Sequence, residues 1–130
     1  MKLPLQSPFE GEHLDLAHQQ LDPGYVLLLS WWLETEFSSA ITRLTLSKNA
    51  ITNLGEDLSG LKALCKVLPS LKSCISLDLA GCYFKVDEVN ELAQAIQAGA
   101  TLTSINCLAN NFEEDDLATL LTAIEGTPVR

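Results

Sequence analysis

Apolar residues recur along this chain in four similar stretches, each followed by apolar residues at a longer period. The stretches fit the frame L-x-x-L-x-L-x-x-N/C-x-L, and three copies fit it well: ITRLTLSKNAI at 41–51, CISLDLAGCYF at 74–84 and LTSINCLANNF at 102–112. A fourth copy, GEHLDLAHQQL at 11–21, departs at its ninth position, where Gln19 stands in place of Asn or Cys. Self-similarity of this kind predicts stacked structural repeats.

The segments between these copies carry apolar residues three and four positions apart, which predicts amphipathic helices. The first helix should begin at Asp22 and Pro23, a capping side chain followed by a proline in the first turn. Pro69, Gly99 and Gly126 should end the later helices. Their apolar stripes are Leu54, Leu58, Leu61, Leu64, Cys65 and Leu68, then Val89, Leu92, Ala93 and Ile96, then Leu117, Leu120, Leu121 and Ile124.

The fourth-position residues Leu14, Leu44, Leu77 and Ile105 are 30, 33 and 28 residues apart. This pattern resembles the ribonuclease-inhibitor-like leucine-rich repeat family over about residues 11–126. The resemblance implies an α/β solenoid of about four strand–helix repeats, with a concave parallel sheet and convex helices. We expect a single domain, 1–130, with repeats near 11–40, 41–73, 74–101 and 102–126, a cap segment at 1–10 and a tail at 127–130.

The ninth position of the frame should hold the turn that follows each strand. A side-chain amide there can donate to and accept from backbone groups that no strand ladder satisfies. Asn49 and Asn110 can do both. Cys82 offers only a weak donor, so we expect its turn to be held less firmly.

Composition and charge narrow the classes of function. Apolar residues make up 47% of the 130 residues, which is enough for a buried core. The net charge of −9 disfavours nucleic acid and anionic membranes as partners. No apolar stretch reaches membrane-spanning length, and we see no signal peptide. The scattered cysteines favour a reduced cytoplasmic setting, although their even number leaves a disulfide open.

Side chains that alternate with the repeat leucines should point outward from the sheet. The candidate contacts for a protein partner on this face are His13, Asp15, Arg43, Thr45, Asp78 and Asn106. Arg43 leads this set because interface hot spots are enriched in arginine and aromatic residues. The alternative is that the face is simply solvated.

Residues 25–33 are apolar almost all round and contain both tryptophans, Trp31 and Trp32. One interpretation is a helix that caps the first repeat together with residues 1–10. The other is an exposed apolar patch that docks a partner or a second copy.

The sequence favours no catalytic, metal or cofactor site. His13 and His18 are the only histidines, and no nucleophile motif accompanies them. The sequence of residues 55–62 is similar to a phosphate-binding loop, but Leu61 interrupts the G-K-[ST] ending that such a loop requires. The segment also fits an amphipathic helix. The acids at 113–116 fit the start of the last helix, where the helix dipole favours negative charge.

These observations together predict a non-catalytic protein–protein interaction module that binds through the sheet face and its rims. Two alternatives stay open. Repeats with this pattern are also similar to leucine-rich repeat effectors secreted by intracellular bacteria, which would act in a host cytosol. The chain could instead be a structural fragment of a larger horseshoe or a self-associating homo-oligomer, because exposed strand edges invite pairing.

Overall fold

A computed structural model describes residues 11–35, 38, 40–71, 75–99, 101–127 and 129. Strands and helices alternate along the described chain, so the protein is an α/β fold. The strands are β1 (His13–Asp15), β2 (Arg43–Thr45), β3 (Ile75–Asp78) and β4 (Leu102–Asn106), and the helices are α1 (Pro23–Leu33), α2 (Ser59–Val67), α3 (Val86–Gln97) and α4 (Glu114–Ile124). A short 3₁₀ turn, Leu68–Ser70, follows α2. The predicted cap at 1–10 lies outside the described residues.

All strand pairs are parallel, and the sheet order β1-β2-β3-β4 follows the order of the chain. Leu14 pairs with Leu44, Leu44 with Leu77, and Leu77 with Ile105. The predicted equivalence of these four positions is therefore confirmed. One irregularity occurs where Ile75 and Ser76 pair with Leu102 and Ser104, which leaves Thr103 as an extra residue in β4.

The core lies between the sheet and the helices. In the first three units the residues at the fourth, sixth and eleventh positions are all buried, with at most 5% of their surface exposed: Leu14, Leu16, Leu21, Leu44, Leu46, Ile51, Leu77, Leu79 and Phe84. Burying an aliphatic or aromatic side chain contributes about 1.5–3 kcal/mol. The helices contribute the facing layer, and each packs against the helix of the next unit.

Asn49 holds two successive turns together, as the ninth-position frame predicted. This side chain is buried and makes five hydrogen bonds to the backbone. At 2.9–3.2 Å its partners are the carbonyl oxygens of Leu16, Leu46 and Ser47 and the N–H groups of Gln19 and Leu21. Asn110, at the ninth position of the last unit, is arranged in the same way. Its side-chain oxygen accepts the N–H groups of Cys82 and Phe84 in the third unit.

Cys82 occupies the corresponding place in the third unit. Its thiol donates to the Leu46 carbonyl oxygen at 3.2 Å and to the Ala80 carbonyl oxygen at 3.8 Å. A thiol is a weak donor and a weak acceptor compared with an amide. The turn that Cys82 supports therefore has the same shape as its neighbours but weaker side-chain bonds.

Four of the predicted helix boundaries agree with the structure, including Gly126, which follows α4 with a φ of +79°. Asp22 Oδ1 accepts the Tyr25 N–H at 2.8 Å, and Pro23 is the first residue of α1. Gly99 follows α3 with a φ of +92°, a conformation that glycine adopts without strain. The acids at 113–116 begin α4, where the Asp116 carboxylate accepts the Glu113 N–H at 3.0 Å. Glu88 bonds the Lys85 N–H in the same way at the start of α3.

The predicted stripe for α2 was wrong at its first residue. Leu54 lies outside the helix and is 62% exposed, because Asn53, Leu54 and Gly55 all have positive φ angles that a right-handed helix excludes. The helix begins only at Ser59, whose N–H bonds to Asp57 Oδ1 at 2.9 Å. The interpretation of residues 55–62 as a continuous helix was wrong for the same reason.

Two further predictions need correction. The outward face was also expected to include Ile75, the second residue of the copy at 74–84, but Ile75 is buried because it lies two residues before Leu77 and therefore on the same face of β3. In α4 the stripe predicted to be buried is only partly covered, because Leu117 and Leu121 are exposed. Within the described part of the chain, no helix has the length and apolar content that a membrane crossing needs.

Candidate binding surface

The sheet face that points away from the helices brings together all six side chains selected from the sequence. Strand register sets them in two rows across the sheet. We call the rows together the open face. One row is His13, Arg43, Ser76 and Ser104, and the other is Asp15, Thr45, Asp78 and Asn106.

Three members of the second row stabilise the turns that follow their strands, a role that was not predicted from the sequence. Each accepts the backbone N–H two residues further on: Asp15 from Ala17 and Asp78 from Ala80 at 3.0 Å, and Asn106 from Leu108 at 3.1 Å. Short side chains with an oxygen at this distance form such turns readily. The signal was visible as Asp or Asn at the fifth position of three copies. These residues are therefore fixed by the turn and offer only their remaining oxygen or amide to a ligand.

Hydrogen bonds also tie the rows across the strands. His13 Nε2 and Thr45 Oγ1 lie 2.7 Å apart, and the hydroxyl oxygens of Ser76 and Ser104 lie 2.6 Å apart. Each pair joins neighbouring strands and fixes both side chains. The open face is thus largely organised before any partner arrives.

Arg43 is the exception on this face. Its side chain is exposed, and among the described residues it takes part in no hydrogen bond and no ion pair. Its register neighbours are His13 on one side and Ser76 on the other. A guanidinium has five donors in a fixed planar arrangement, which suits a carboxylate in a bidentate contact. Arg43 is therefore the strongest unused hydrogen-bonding group of the open face.

The thiols of the described chain are poor nucleophiles. Burial raises the pKa of Cys65 and of Cys107 to about 12, and that of Cys82 to about 11. Because the thiolate is the reactive form, these groups remain almost wholly protonated near neutral pH. All three are free cysteines, and among the residues with a described position no cluster of His, Cys, Asp and Glu could hold a metal ion. Cys74 lies outside the described residues.

The two tryptophans have different environments. Trp32 is completely buried in the core, whereas Trp31 is 56% exposed on α1. Trp31 and Leu27 line one side of a groove of about 410 Å³ between α1 and α2, with Ala63 and Val67 on the other side. Glu34 and Lys66 also line it. The burial of Trp32 is compatible with the cap interpretation and the exposure of Trp31 with the docking interpretation, and both stay predictions.

A second depression, of about 400 Å³, lies where the strands end. His18, Lys48 and Tyr83 line it, and all three have positive φ angles. His18 and Lys48 share the eighth position of the frame with Gly81 and Ala109, which are left-handed as well. The residue types do not reveal this recurring conformation, because only one of the four residues is glycine.

No protein-family model matches the chain, and no curated protein matches it.

Proposed function

We propose that this protein is a leucine-rich repeat solenoid of the ribonuclease-inhibitor type and that it acts as a non-catalytic protein-binding module. The in-register pairing of Leu14, Leu44, Leu77 and Ile105 supports the repeat assignment. The Asn49 and Asn110 turns support it as well, since they bond adjacent units in the same way. Parallel strands lie about 4.8 Å apart while helices need about 8–10 Å, so such a stack curves with its sheet on the concave side.

The observation that carries the binding proposal is the free, exposed Arg43 on a face whose other polar groups are already held. A partner that presents a carboxylate would engage Arg43 directly. Asp15 and Asp78 lie in the adjacent row and keep acceptor oxygens for donors of the same partner. The matching surface is therefore one with a carboxylate flanked by N–H or basic groups.

The size of the sheet sets a further requirement. Four strands span only about 15 Å across the sheet, whereas a stable interface buries roughly 800 Å² on each partner. The open face is too small by itself, so the partner must also contact a rim. The depression formed by His18, Lys48 and Tyr83 adjoins the strand ends and supplies such a rim.

Arg43→Glu tests the proposal. Binding partners are captured from cell extract on the wild-type protein, on Arg43→Glu and on Lys62→Glu, and the affinity of each captured partner is then measured. Lys62 lies on α2 and is exposed, so its replacement alters the net charge equally without touching the open face. We expect a partner that binds wild type and Lys62→Glu alike but binds Arg43→Glu at least about 30-fold more weakly, the range of an interface hot spot. If every partner tolerates Arg43→Glu, the open face is not the binding site.

We also propose that the protein works in a reducing cytosol, its own or that of a host cell. The free thiols at Cys65, Cys82 and Cys107 support this setting, because such thiols persist where disulfides are reduced. Mass spectrometry of intact protein isolated under alkylating conditions tests it. Recovery of the native protein with any of these three residues in a disulfide would contradict the proposal.

A further inference from the structure

The charged side chains of the open face alternate in sign across three neighbouring strands. Apart from the imidazole of His13, the open face carries Asp15 on β1, Arg43 on β2 and Asp78 on β3. Asp15 and Asp78 lie in the same row, with Thr45 of β2 between them. Arg43 stands two residues before Thr45, in the other row. Two acids therefore flank one base, and a complementary partner must present the opposite charges in the same order.

The strand register sets the spacing of these three groups. Asp15 and Asp78 are two strands apart, which is about 10 Å at the usual separation of paired strands. Arg43 lies about 7 Å to one side of the line that joins them, because each residue along a strand rises about 3.3 Å. The three charges thus form a triangle with the base at its apex.

The two carboxylates are already held in a fixed geometry. Asp15 accepts the Ala17 N–H and Asp78 accepts the Ala80 N–H, both at 3.0 Å, so the two side chains bend along their strands in the same way. Each keeps one oxygen for a ligand. Among the described residues, neither carboxylate takes part in an ion pair. Groups that are ordered in advance lose little conformational freedom when a partner binds.

An α-helix laid across the strands reproduces this triangle. Residues i and i+7 of a helix lie on the same side and are about 10.5 Å apart along the axis. The residues at i+3 and i+4 lie between them, about 5 Å to either side, because helix side chains reach a radius of about 5–6 Å. A β-strand instead places the side chains of one face about 7 or 13 Å apart and on a single line. The spacing of the charges therefore favours a helix over an extended segment.

We infer that the open face binds an α-helix of the protein partner that carries Lys or Arg at positions i and i+7 and Asp or Glu at i+3 or i+4. The two basic residues bind Asp15 and Asp78, and the acid binds the Arg43 guanidinium. The helix crosses β1, β2 and β3 at about a right angle. This inference rests on the proposed function, because it names the element of the partner that meets Arg43. The pattern supplies specificity and orientation more than affinity, so the remainder of the partner contacts the rim.

The probe is a stapled helical peptide of about 15 residues with Lys at i and i+7 and Glu at i+3 on an Ala–Gln background. The control peptide has the same composition and net charge but carries Lys at i and i+3 and Glu at i+7. Binding to the isotope-labelled protein is followed by NMR, because each exposed ion pair changes the affinity only about two- to fivefold. We expect the probe to bind at least about fivefold more tightly than the control and to shift the backbone signals of β1, β2 and β3. Equal binding by both peptides, shifts confined to the helices, or no saturable binding of the probe would overturn the inference.

Asp15→Asn and Asp78→Asn separate the charge of these residues from their role in the turns. Asn106 occupies the same place in β4 and accepts the Leu108 N–H through its side-chain oxygen at 3.1 Å, so an Asn keeps the turn. Each variant should weaken binding of the probe about two- to fivefold, and circular dichroism verifies that it is folded. If neither variant changes the affinity while Arg43→Glu does, the helix pattern is wrong but the proposed role of Arg43 stands.

A charge exchange tests the pair at the apex of the triangle. A further peptide carries Lys in place of Glu at i+3. Its affinity relative to that of the probe should rise at least about fivefold on Arg43→Glu and change less than about twofold on Lys62→Glu. Lys62 lies on α2, so its replacement alters the net charge equally at a distance from the open face. An equal change in both variants would show that only net charge matters, and the assignment of the acid to Arg43 would fail.

Discussion

Replacement of Cys82 by Asn should stabilise the protein. In the second unit the Asn49 amide makes five backbone hydrogen bonds, whereas the Cys82 thiol donates two, one of them 3.8 Å long, and its sulfur is only a weak acceptor for the Asn49 and Lys48 N–H groups. An Asn at 82 would donate to the Leu46 carbonyl oxygen and accept the N–H groups of Asn49 and Ile51, as Asn49 does for the preceding unit. Net gains of about 0.5–1.5 kcal/mol per hydrogen bond, less the cost of ordering and desolvating the amide, leave about 1–2 kcal/mol.

The reciprocal variant should have the opposite effect. Asn49→Cys removes the acceptor of two N–H groups and the better donor to Leu16, so buried backbone groups lose their partners. Each such loss costs about 1–3 kcal/mol, and we expect a total destabilisation of about 3–4 kcal/mol.

Urea and thermal unfolding, followed by circular dichroism, measure both effects. With about 2.1 cal/mol/K of unfolding entropy per residue, a gain of 1.5 kcal/mol in a chain of this length raises Tm by about 5 °C. Cys82→Ala serves as the control, because it removes the thiol without adding an amide and should destabilise. The explanation fails if Cys82→Asn lowers Tm while Asn49→Cys leaves it unchanged, since the ninth-position amide would then not hold the turns.

Three further outcomes follow from the structure. Trp32→Lys should unfold the protein because Trp32 is fully buried, while Trp31→Lys should change stability by less than about 1 kcal/mol; tryptophan fluorescence during urea unfolding compares them. Lys48→Gly should raise stability by about 0.5–1 kcal/mol because Lys48 has a φ of +59°, and a loss instead would show that its side chain contributes more than the backbone strain costs. The raised pKa values of Cys65, Cys82 and Cys107 mean that the folded state holds these protons more tightly than the unfolded state. Their contribution to stability is thus complete below pH 9 and is lost as the pH rises towards 11 to 12. Cys65→Ala should flatten this alkaline loss, and an unchanged slope would contradict it.

Much of the fold was predictable because similar stretches of sequence form the same strand–helix arrangement along the chain. The positions of Leu14, Leu44, Leu77 and Ile105 predicted the strand pairing, and the structure pairs them in register. The boundary at Asp22 was predictable because a capping side chain and a following proline act locally. The position of Leu54 outside α2 was not predictable, because its helix-like spacing carries no information about the left-handed conformation of Leu54 and its neighbours.

The candidate surface was predictable in position but not in chemistry. Alternation placed Asp15, Asp78 and Asn106 outward, and the structure agrees. Their hydrogen bonds to the following turns, and the His13–Thr45 bond between strands, depend on distances that residue spacing does not contain. Arg43 already led the predicted set by residue type, but only the structure shows that, among the described residues, its side chain makes no hydrogen bond while the polar side chains around it do.

The sequence by itself determined which face of its own strand or helix each residue occupies, since periods of 2 and 3.6 are properties of a single element. Only the tertiary structure decided whether a neighbour covers that face. Trp31 and Trp32 are adjacent and equally apolar, yet one is buried and the other exposed. Leu121 fits the same helical stripe as Leu120 but faces solvent, because burial requires a packed element on that side and the described chain provides none beyond α4.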